Sequence, residues 1–304
     1  MNSANNAAVV VGVDGSQPAL RAVRLAATEA ALRRRPLRVV HGFIWPLLHV
    51  PVSPAPDAPP GGGLRHRAEE LVQAAVAEAE ATAPGLSVAG EIIDGEAAAV
   101  LVGESPTAAL IVLGDRGLGG FSGLVVGSVA VQVATYADCP VLVARGAQRP
   151  DEPVLVAVDG SPASRLAADF AAETAVARGV PLVAVHAYRH PGSSGPGDMQ
   201  PLVYDEATLH GERERMLAEW LTGLTEHHRE LRLTCRAVRG RTGAVLAEAS
   251  EAAQLAVVGG QGRGEVTGLL LGSVSQSMLH HARCPVAVVH APGWAPEVGR
   301  PPDG

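Results

Sequence analysis

Short hydrophobic runs alternate with amphipathic segments along the whole chain. Continuous runs of Val, Leu and Ile are typical of parallel strands that are buried on both faces. They predict strands at residues 8–13, 37–43, 87–93, 109–113 and 141–144, and then at 153–158, 182–188, 232–238, 254–258 and 286–290. The amphipathic segments predict helices at 17–34, 65–83, 96–106 and 128–137, and then at 162–178, 206–229, 242–252 and 273–282. Regular alternation of strands and helices predicts doubly wound parallel sheets.

The second half of the chain repeats the first at a constant offset of 145 residues. Asp14-Gly15-Ser16 is matched by Asp159-Gly160-Ser161, and Cys139-Pro140 is matched by Cys284-Pro285. A constant register across such anchors identifies a tandem duplication. We therefore predict two Rossmann-like α/β domains, each with a five-stranded parallel sheet flanked by helices. Their expected bounds are residues 1–146 and 152–292, with a disordered tail at 293–304.

Composition narrows the classes of function. The chain has 304 residues, 47% of them hydrophobic and 18% charged, which suits two well-packed globular cores. All 24 basic residues are arginine, so a Walker A lysine and Schiff-base chemistry are excluded. The net charge of −7 argues against nucleic-acid binding, and no apolar run is long enough to span a membrane. The first residues do not resemble a signal peptide, and we expect a cytoplasmic protein.

A glycine pattern follows the fourth predicted strand of each half. Gly114 and Gly117 are followed by Gly127-Ser128, and the same spacing recurs at Gly259, Gly262 and Gly272-Ser273. Glycine has no Cβ to hold a ligand away from the backbone, and successive amide N–H groups can form a nest for an anion. Each Gly-Ser pair stands at a predicted helix start, where free N–H groups and the helix dipole favour phosphate. The pattern therefore predicts one phosphate-binding loop in each half.

Two aspartates and two small residues are expected beside these loops. In an open α/β sheet the ligand lies beyond the carboxyl ends of the strands. Asp14 and Asp159 follow the first strand of each half, where a carboxylate can accept a hydrogen bond from a ribose hydroxyl or a base amino group. Gly42 and Ala187, at the end of the second strand, are small enough to expose backbone to an adenine ring.

These motifs resemble the ATP-binding branch of the universal stress protein family in its tandem form. The likeness rests on Gly-x2-Gly-x9-Gly-Ser in both halves and on the run at 272–276, and it covers residues 7–145 and 152–291. It implies two sites for ATP, with Mg²⁺. The residues implied for the first site are Gly12, Asp14, Gly42, Gly114, Gly117, Gly127, Ser128 and Val129. Those implied for the second are Ala157, Asp159, Ala187, Gly259, Gly262, Gly272, Ser273 and Val274.

The resemblance also implies a role for the bound nucleotide. We expect a stress-response or regulatory protein in which nucleotide occupancy controls conformation or association. We do not expect an enzyme, because no group is dedicated to attack on the γ-phosphate. The family's fifth strand often mediates pairing, so residues 141–144 and 286–290 are expected to join the two halves, or two chains as a homodimer. The alternatives are a slow ATPase, an adenylyl-transferring enzyme of the same α/β group, and an interaction module with vestigial pockets.

The two loops differ in charge. Arg116 in the first loop corresponds to Gln261, and Arg263 in the second corresponds to Leu118, so each pocket keeps one candidate cation for phosphate. Asp115 stands where the second loop has glycine. An acid that points into the pocket opposes a triphosphate, whereas an outward rotamer or Mg²⁺ removes the problem. Our hypothesis is that the second site binds at least as tightly as the first.

Histidines and cysteines are also repeated, but they do not predict catalysis. We interpret His41 and His186 as strand-end histidines that bond to backbone. Cys139 and Cys284 each precede proline at a strand start, which indicates a structural role. With Cys235 they make an odd number whose spacing does not fit a metal site.

Overall fold

The computed structural model describes residues 7–44, 63–118, 126–188, 206–262 and 271–290. The chain divides into two compact units: the described residues up to Arg145, together with His290, form the first, and the described residues of Gly146–Val289 form the second. The tail predicted at 293–304 lies outside the described residues.

The first unit is a parallel sheet flanked by helices. Its strands are β1 (Val9–Gly12), β2 (Leu37–Phe43), β3 (Val88–Asp94), β4 (Leu110–Gly114) and β5 (Val141–Ala144). Its helices are α1 (Gln17–Leu32), α2 (Leu64–Thr82), α3 (Ala97–Glu104) and α4 (Ser128–Tyr136). The strand order is β3-β2-β1-β4-β5, and every neighbouring pair runs parallel. The winding direction changes between β1 and β4, which leaves a crevice at their carboxyl ends.

The second unit repeats this arrangement. Its strands are β6 (Val154–Ala157), β7 (Leu182–Tyr188), β8 (Leu233–Arg239), β9 (Leu255–Gly259) and β10 (Val286–Val289). Its helices are α5 (Pro162–Arg178), α6 (Glu206–His227), α7 (Thr242–Ala249) and α8 (Ser273–His281). The order is β8-β7-β6-β9-β10, again parallel throughout. Within the described residues, no helix combines the length and apolarity needed to cross a membrane.

The predicted fold class is confirmed in both units. Each strand end lies within one residue of its predicted position. The largest difference is at the end of α7, which was predicted to reach residue 252 but ends at Ala249 and continues as a 3₁₀ turn over Ser250–Ala252. The Ser250 hydroxyl donates to the carbonyl of Ala247 at 2.6 Å. Such a local side-chain bond competes with the α-helical pattern and tightens the last turn.

The core of the first unit is centred on the middle strands of its sheet. Val9, Val10 and Val11 of β1 have no exposed surface, because helices cover both faces of the sheet there. The edge strand β3 is different, since Gly90 and Glu91 in its middle are exposed. The strands that carry the crevice are therefore the most firmly packed ones, and their ends form a fixed platform.

The first helix of each unit begins at a serine cap. The hydroxyl of Ser16 accepts a hydrogen bond from the N–H of Ala19 at 3.2 Å, and that of Ser161 accepts from Ser164 at 3.1 Å. Both serines are buried, so water cannot replace the lost bond if the hydroxyl is removed.

We predict that Ser16→Ala destabilises the protein by about 1 kcal/mol, because it leaves a buried helix-start N–H without an acceptor. Ser161→Ala should behave in the same way. The measurement is urea unfolding followed by circular dichroism. Thr28→Ala is the control, because Thr28 is an exposed residue of the same helix. Equal stability of Ser16→Ala and Thr28→Ala would contradict the prediction.

Candidate functional site

A cavity of about 440 Å³ opens in the first unit where β1, β2 and β4 end. It lies at the crevice created by the change in winding direction. All nine residues predicted for the first site line it: Gly12, Asp14, Gly42, Gly114, Arg116, Gly117, Gly127, Ser128 and Val129. Sequence reasoning missed the opposite wall, which the start of α3 supplies through Ala97 and Leu101.

Close packing requires glycine at two positions of this cavity. A Cβ on Gly114 would lie 2.8 Å from the carbonyl carbon of Pro18, in the first turn of α1. A Cβ on Gly42 would lie 2.7 Å from the Cα of Ala97. Real Cβ atoms do not approach backbone so closely, so these glycines let α1 and α3 begin directly against the strand ends. They shape the cavity through packing.

The carboxylate of Asp14 ties the end of β1 to the glycine loop. Its Oδ1 accepts the N–H of Ser16 at 3.0 Å, and its Oδ2 accepts the N–H of Leu118 at 2.7 Å. Gly117 lies directly against this carboxylate, because a Cβ there would be 2.4 Å from Oδ2. Each carboxylate oxygen keeps further acceptor capacity, so the clamp does not prevent a bond to a ligand hydroxyl.

Helix α4 begins at glycine, whereas α1 begins at serine. Gly127 is its N-cap and has no side chain to bond the first amides, and its own N–H donates to the carbonyl of Asp115 at 2.8 Å. The N–H groups of Ser128 and Val129 are in the first turn, where the helix itself provides no acceptor. Both residues line the cavity. The N-terminal end of the helix dipole therefore meets the cavity at a point that suits an anion.

The second unit carries a smaller cavity of about 220 Å³ at the equivalent place. Eight predicted residues line it: Ala157, Asp159, Ala187, Gly259, Gly262, Gly272, Ser273 and Val274. The candidate cation Arg263 lies outside the described residues. The carboxylate of Asp159 accepts the N–H of Ser161 at 2.9 Å, and a Cβ on Gly262 would lie 2.8 Å from its Oδ2. The aspartate and the glycine loop therefore meet as they do in the first unit.

The duplication has a counterpart among known proteins. A model described as the universal stress protein family matches residues 6–145 and again residues 152–290. The chain belongs to the universal stress protein family.

Relatives of the same tandem length support this membership. Universal stress protein Rv1996 of Mycobacterium tuberculosis is 35% identical over 308 residues, which covers 94% of this chain and 96% of the relative. Universal stress protein Rv2005c of the same species is 38% identical over 288 residues, covering 92% and 96%. The crystal structure of a universal stress protein from Archaeoglobus fulgidus has a TM-score of 0.67 at 18% identity, covering 96% and 99%, and shows the same fold.

Asp115, the acidic residue in the first loop of this universal stress protein, forms an ion pair with Arg21. Asp115 Oδ1 lies 3.3 Å from a guanidinium nitrogen of Arg21 on α1, and Asp115 is not among the residues that line the cavity. Arg116, the next residue, does line it. Asp115 therefore pairs with Arg21, which removes one reason for the hypothesis that the second site binds at least as tightly as the first, and that hypothesis stays a prediction.

The repeated histidines have the structural role that we expected. His41 Nδ1 lies 2.7 Å from the carbonyl oxygen of Val13, and His186 Nδ1 lies 2.8 Å from that of Val158.

Cys139 and Cys284 are both buried. Burial raises the pKa of the Cys139 thiol to about 12, so it stays protonated and unreactive at neutral pH.

We predict that Arg21→Leu lowers the melting temperature of this universal stress protein, because it leaves the mostly buried Asp115 carboxylate without its partner. Adding Asp115→Gly should restore stability, since the double variant has the residues of the second unit, Leu166 and Gly260. We expect a coupling energy of about 0.5–1 kcal/mol, because Arg21 is partly exposed. Arg24→Leu is the control, since its pair with Glu78 is more exposed. Additive single effects would contradict the pairing.

Proposed function

We propose that this universal stress protein is a regulatory protein that binds ATP, with Mg²⁺, at one site in each of its two units. The observation that supports this most directly is the uncapped start of α4. Gly127 gives the first turn of α4 no side-chain cap, and Gly127, Ser128 and Val129 line the cavity beside a glycine loop that Asp14 holds in place. A helix start with free donors beside a cavity is a site for phosphate.

The proposed orientation of ATP follows from the chemistry of the cavity. The phosphates lie against Gly127, Ser128 and Val129, with the Arg116 guanidinium beside them. The adenosine extends towards Gly12 and Gly42, where the wall is made of strand ends and the start of α3. The Asp14 carboxylate lies between these regions and is placed for a ribose hydroxyl.

We propose binding without rapid hydrolysis. Asp14 and Arg116 are the charged side chains that the described residues contribute to the first cavity. Both oxygens of Asp14 already accept backbone N–H groups, so this carboxylate is a poor base for a water molecule. Arg116 supplies charge but does not orient a nucleophile.

Occupancy of this site has a direct route to the fifth strand. The ligand would contact the first turn of α4, which spans only Ser128–Tyr136, and β5 begins soon afterwards at Val141. A shift of α4 on binding would therefore be passed to β5, the strand that we expect to mediate pairing. We propose that ATP changes conformation or association by this route, and sedimentation velocity with and without ATP·Mg²⁺ tests it.

Gly127→Ala should weaken ATP binding at least about tenfold without unfolding the protein. The new Cβ would lie 3.5 Å from the Arg116 Cα and 3.8 Å from the Gly117 nitrogen, which is ordinary contact distance. It would, however, occupy space in front of the loop amides. Titration calorimetry with ATP·Mg²⁺ measures the effect. Gly103→Ala is the matched control, because a Cβ on Gly103 meets nothing within 4 Å.

The nucleotide that the protein carries gives an independent test. The purified protein is denatured, and the released nucleotide is identified by chromatography and mass spectrometry. ATP supports the proposal, whereas predominantly ADP would favour a slow ATPase. A protein that is empty and also fails to bind added ATP·Mg²⁺ would contradict the proposed function and favour an interaction module.

A further inference from the structure

The outermost strands of the two units carry charges of opposite sign. Within the described residues, β3 pairs with β2 alone and β8 pairs with β7 alone, so each strand has one unpaired side. We call residues 88–96 the acidic edge and residues 233–241 the basic edge. Three exposed acids of the first are matched, 145 positions later, by exposed arginines: Glu91 by Arg236, Asp94 by Arg239, and Glu96 by Arg241.

Arginines beside the acidic edge offset its charge only in part. Arg38 on β2 lies between two carboxylates and forms ion pairs with both Glu91 and Glu104. Asp94 lies 3.6 Å from the guanidinium group of Arg65, but its side chain is still 75% exposed. Within this group the carboxylates outnumber the guanidinium groups. The acidic edge therefore presents a net negative charge to solvent.

The second unit lacks the ion-pair network that Arg38 forms in the first. The counterparts of Arg38 and Glu104 are Val183 and Ala249, which line an apolar groove beside Arg236. The exchange of charge at the edge is therefore not a simple reversal of one ion pair. It replaces a group in which carboxylates predominate with arginine at the edge and apolar residues behind it.

Acids are also present beside the basic edge, but arginines outnumber them. Glu248 on α7 lines the groove with Arg236, and Glu214 on α6 accepts the N–H of Ala237 at 3.3 Å. The exposed arginines along this edge are four: Arg232, Arg236, Arg239 and Arg241. The two edges therefore have net charges of opposite sign.

This distribution of charge discriminates between possible contacts. Charged side chains on an outermost strand oppose pairing with an identical strand, and this protects many sheets from aggregation. They do not oppose contact between an acidic and a basic edge, which is electrostatically favourable. Since Glu214 already accepts an amide of the basic edge, we expect ion pairs between side chains and not the addition of a strand. A second copy of this chain supplies the complementary surface.

We propose that the acidic edge of one chain binds the basic edge of a second copy through ion pairs. The contact joins two different surfaces, so each pair of chains still has one unused edge of either sign, and assembly can continue beyond a dimer. The contact uses neither the strand-end cavities nor the fifth strands. It can therefore fail without affecting the proposed function, and ATP binding can fail without affecting it.

Sedimentation velocity of the intact chain without added nucleotide tests the proposal. At about 50 mM salt the weight-average sedimentation coefficient should rise with protein concentration. At about 500 mM salt this rise should largely disappear, because exposed charges are screened within a few ångströms. The absence of association at low salt, or equal association at both salt concentrations, would overturn the inference.

Two charge variants locate the contact. The basic variant is Asp94→Arg with Glu96→Arg, and the acidic variant is Arg239→Asp with Arg241→Glu. Each change introduces the residue that the other unit carries, and neither Glu96 nor Arg241 caps its helix through its side chain, so both variants should fold. Each alone should associate at least about tenfold more weakly than the unaltered chain. An equal mixture should associate again, because edges of opposite sign are available.

Asp151→Arg combined with Glu173→Arg is the matched control. Both residues are exposed and lie outside the two edges, and the net charge changes as it does in the basic variant. The control should associate as the unaltered chain does. Circular dichroism and thermal melting verify the folding of each variant. Equal loss of association in the control, or a mixture of the two charge variants that associates no better than either alone, would overturn the assignment to the edges.

Discussion

The hydrogen bond between the Asp14 carboxylate and the amide of Leu118 is the interaction on which the site depends. It joins the end of β1 to the loop after β4, two segments that are 104 residues apart in the chain. The loop then lies so close to the carboxylate that glycine is required at position 117. With the loop fixed, the carbonyl of Asp115 can accept the N–H of Gly127 and set where α4 begins. The aspartate and the glycines therefore act together. In the second unit Asp159 again lies against the loop glycine, Gly262, and the N–H of Gly272 donates to the carbonyl of Gly260 at 2.8 Å.

The helices that follow the first strand of each unit begin differently from those that follow the fourth strand. Ser16 and Ser161 use their hydroxyls to satisfy the first amides of α1 and α5. Gly127 and Gly272 have no side chain, and α4 and α8 begin without a side-chain cap. An uncapped helix start in a folded protein needs another acceptor, either water or a ligand. The starts of α4 and α8 face a cavity, so their free donors lie at the place where a phosphate group can use them.

The fold and the position of the site could be predicted from the sequence because both depend on local patterns. Continuous apolar runs indicate central strands, and because the chain is duplicated, each element can be predicted twice, once in each half. The glycines and Asp14 could be placed together since parallel strands finish at one edge. Which of these residues contact a ligand stays a prediction. The start of α3 could not be found, because the small size of Ala97 matters only beside Gly42, and no motif records that contact.

The direction of the Asp115 side chain was open at the level of a single loop, yet the chain contains the information. Arg21 and Asp115 in the first unit are both replaced in the second, by Leu166 and Gly260. The second unit therefore lacks both the carboxylate and its partner. Comparison of the halves position by position would have indicated the contact before the structure showed it.

The same comparison of the two halves explains how the side chains around the cavities can differ between the units while the packing is kept. Gly12 and Leu113 together have as many side-chain carbons as Ala157 and Val258, so that exchange keeps the core filled while it moves a methyl group to the end of the first strand. Alanines that touch the cavity, such as Ala19 and Ala130, become serines whose hydroxyls bond to nearby carbonyls. A buried hydroxyl is tolerated only when it has such a partner. Compensated changes of this kind let the cavity wall vary while the strands and the glycine caps stay fixed.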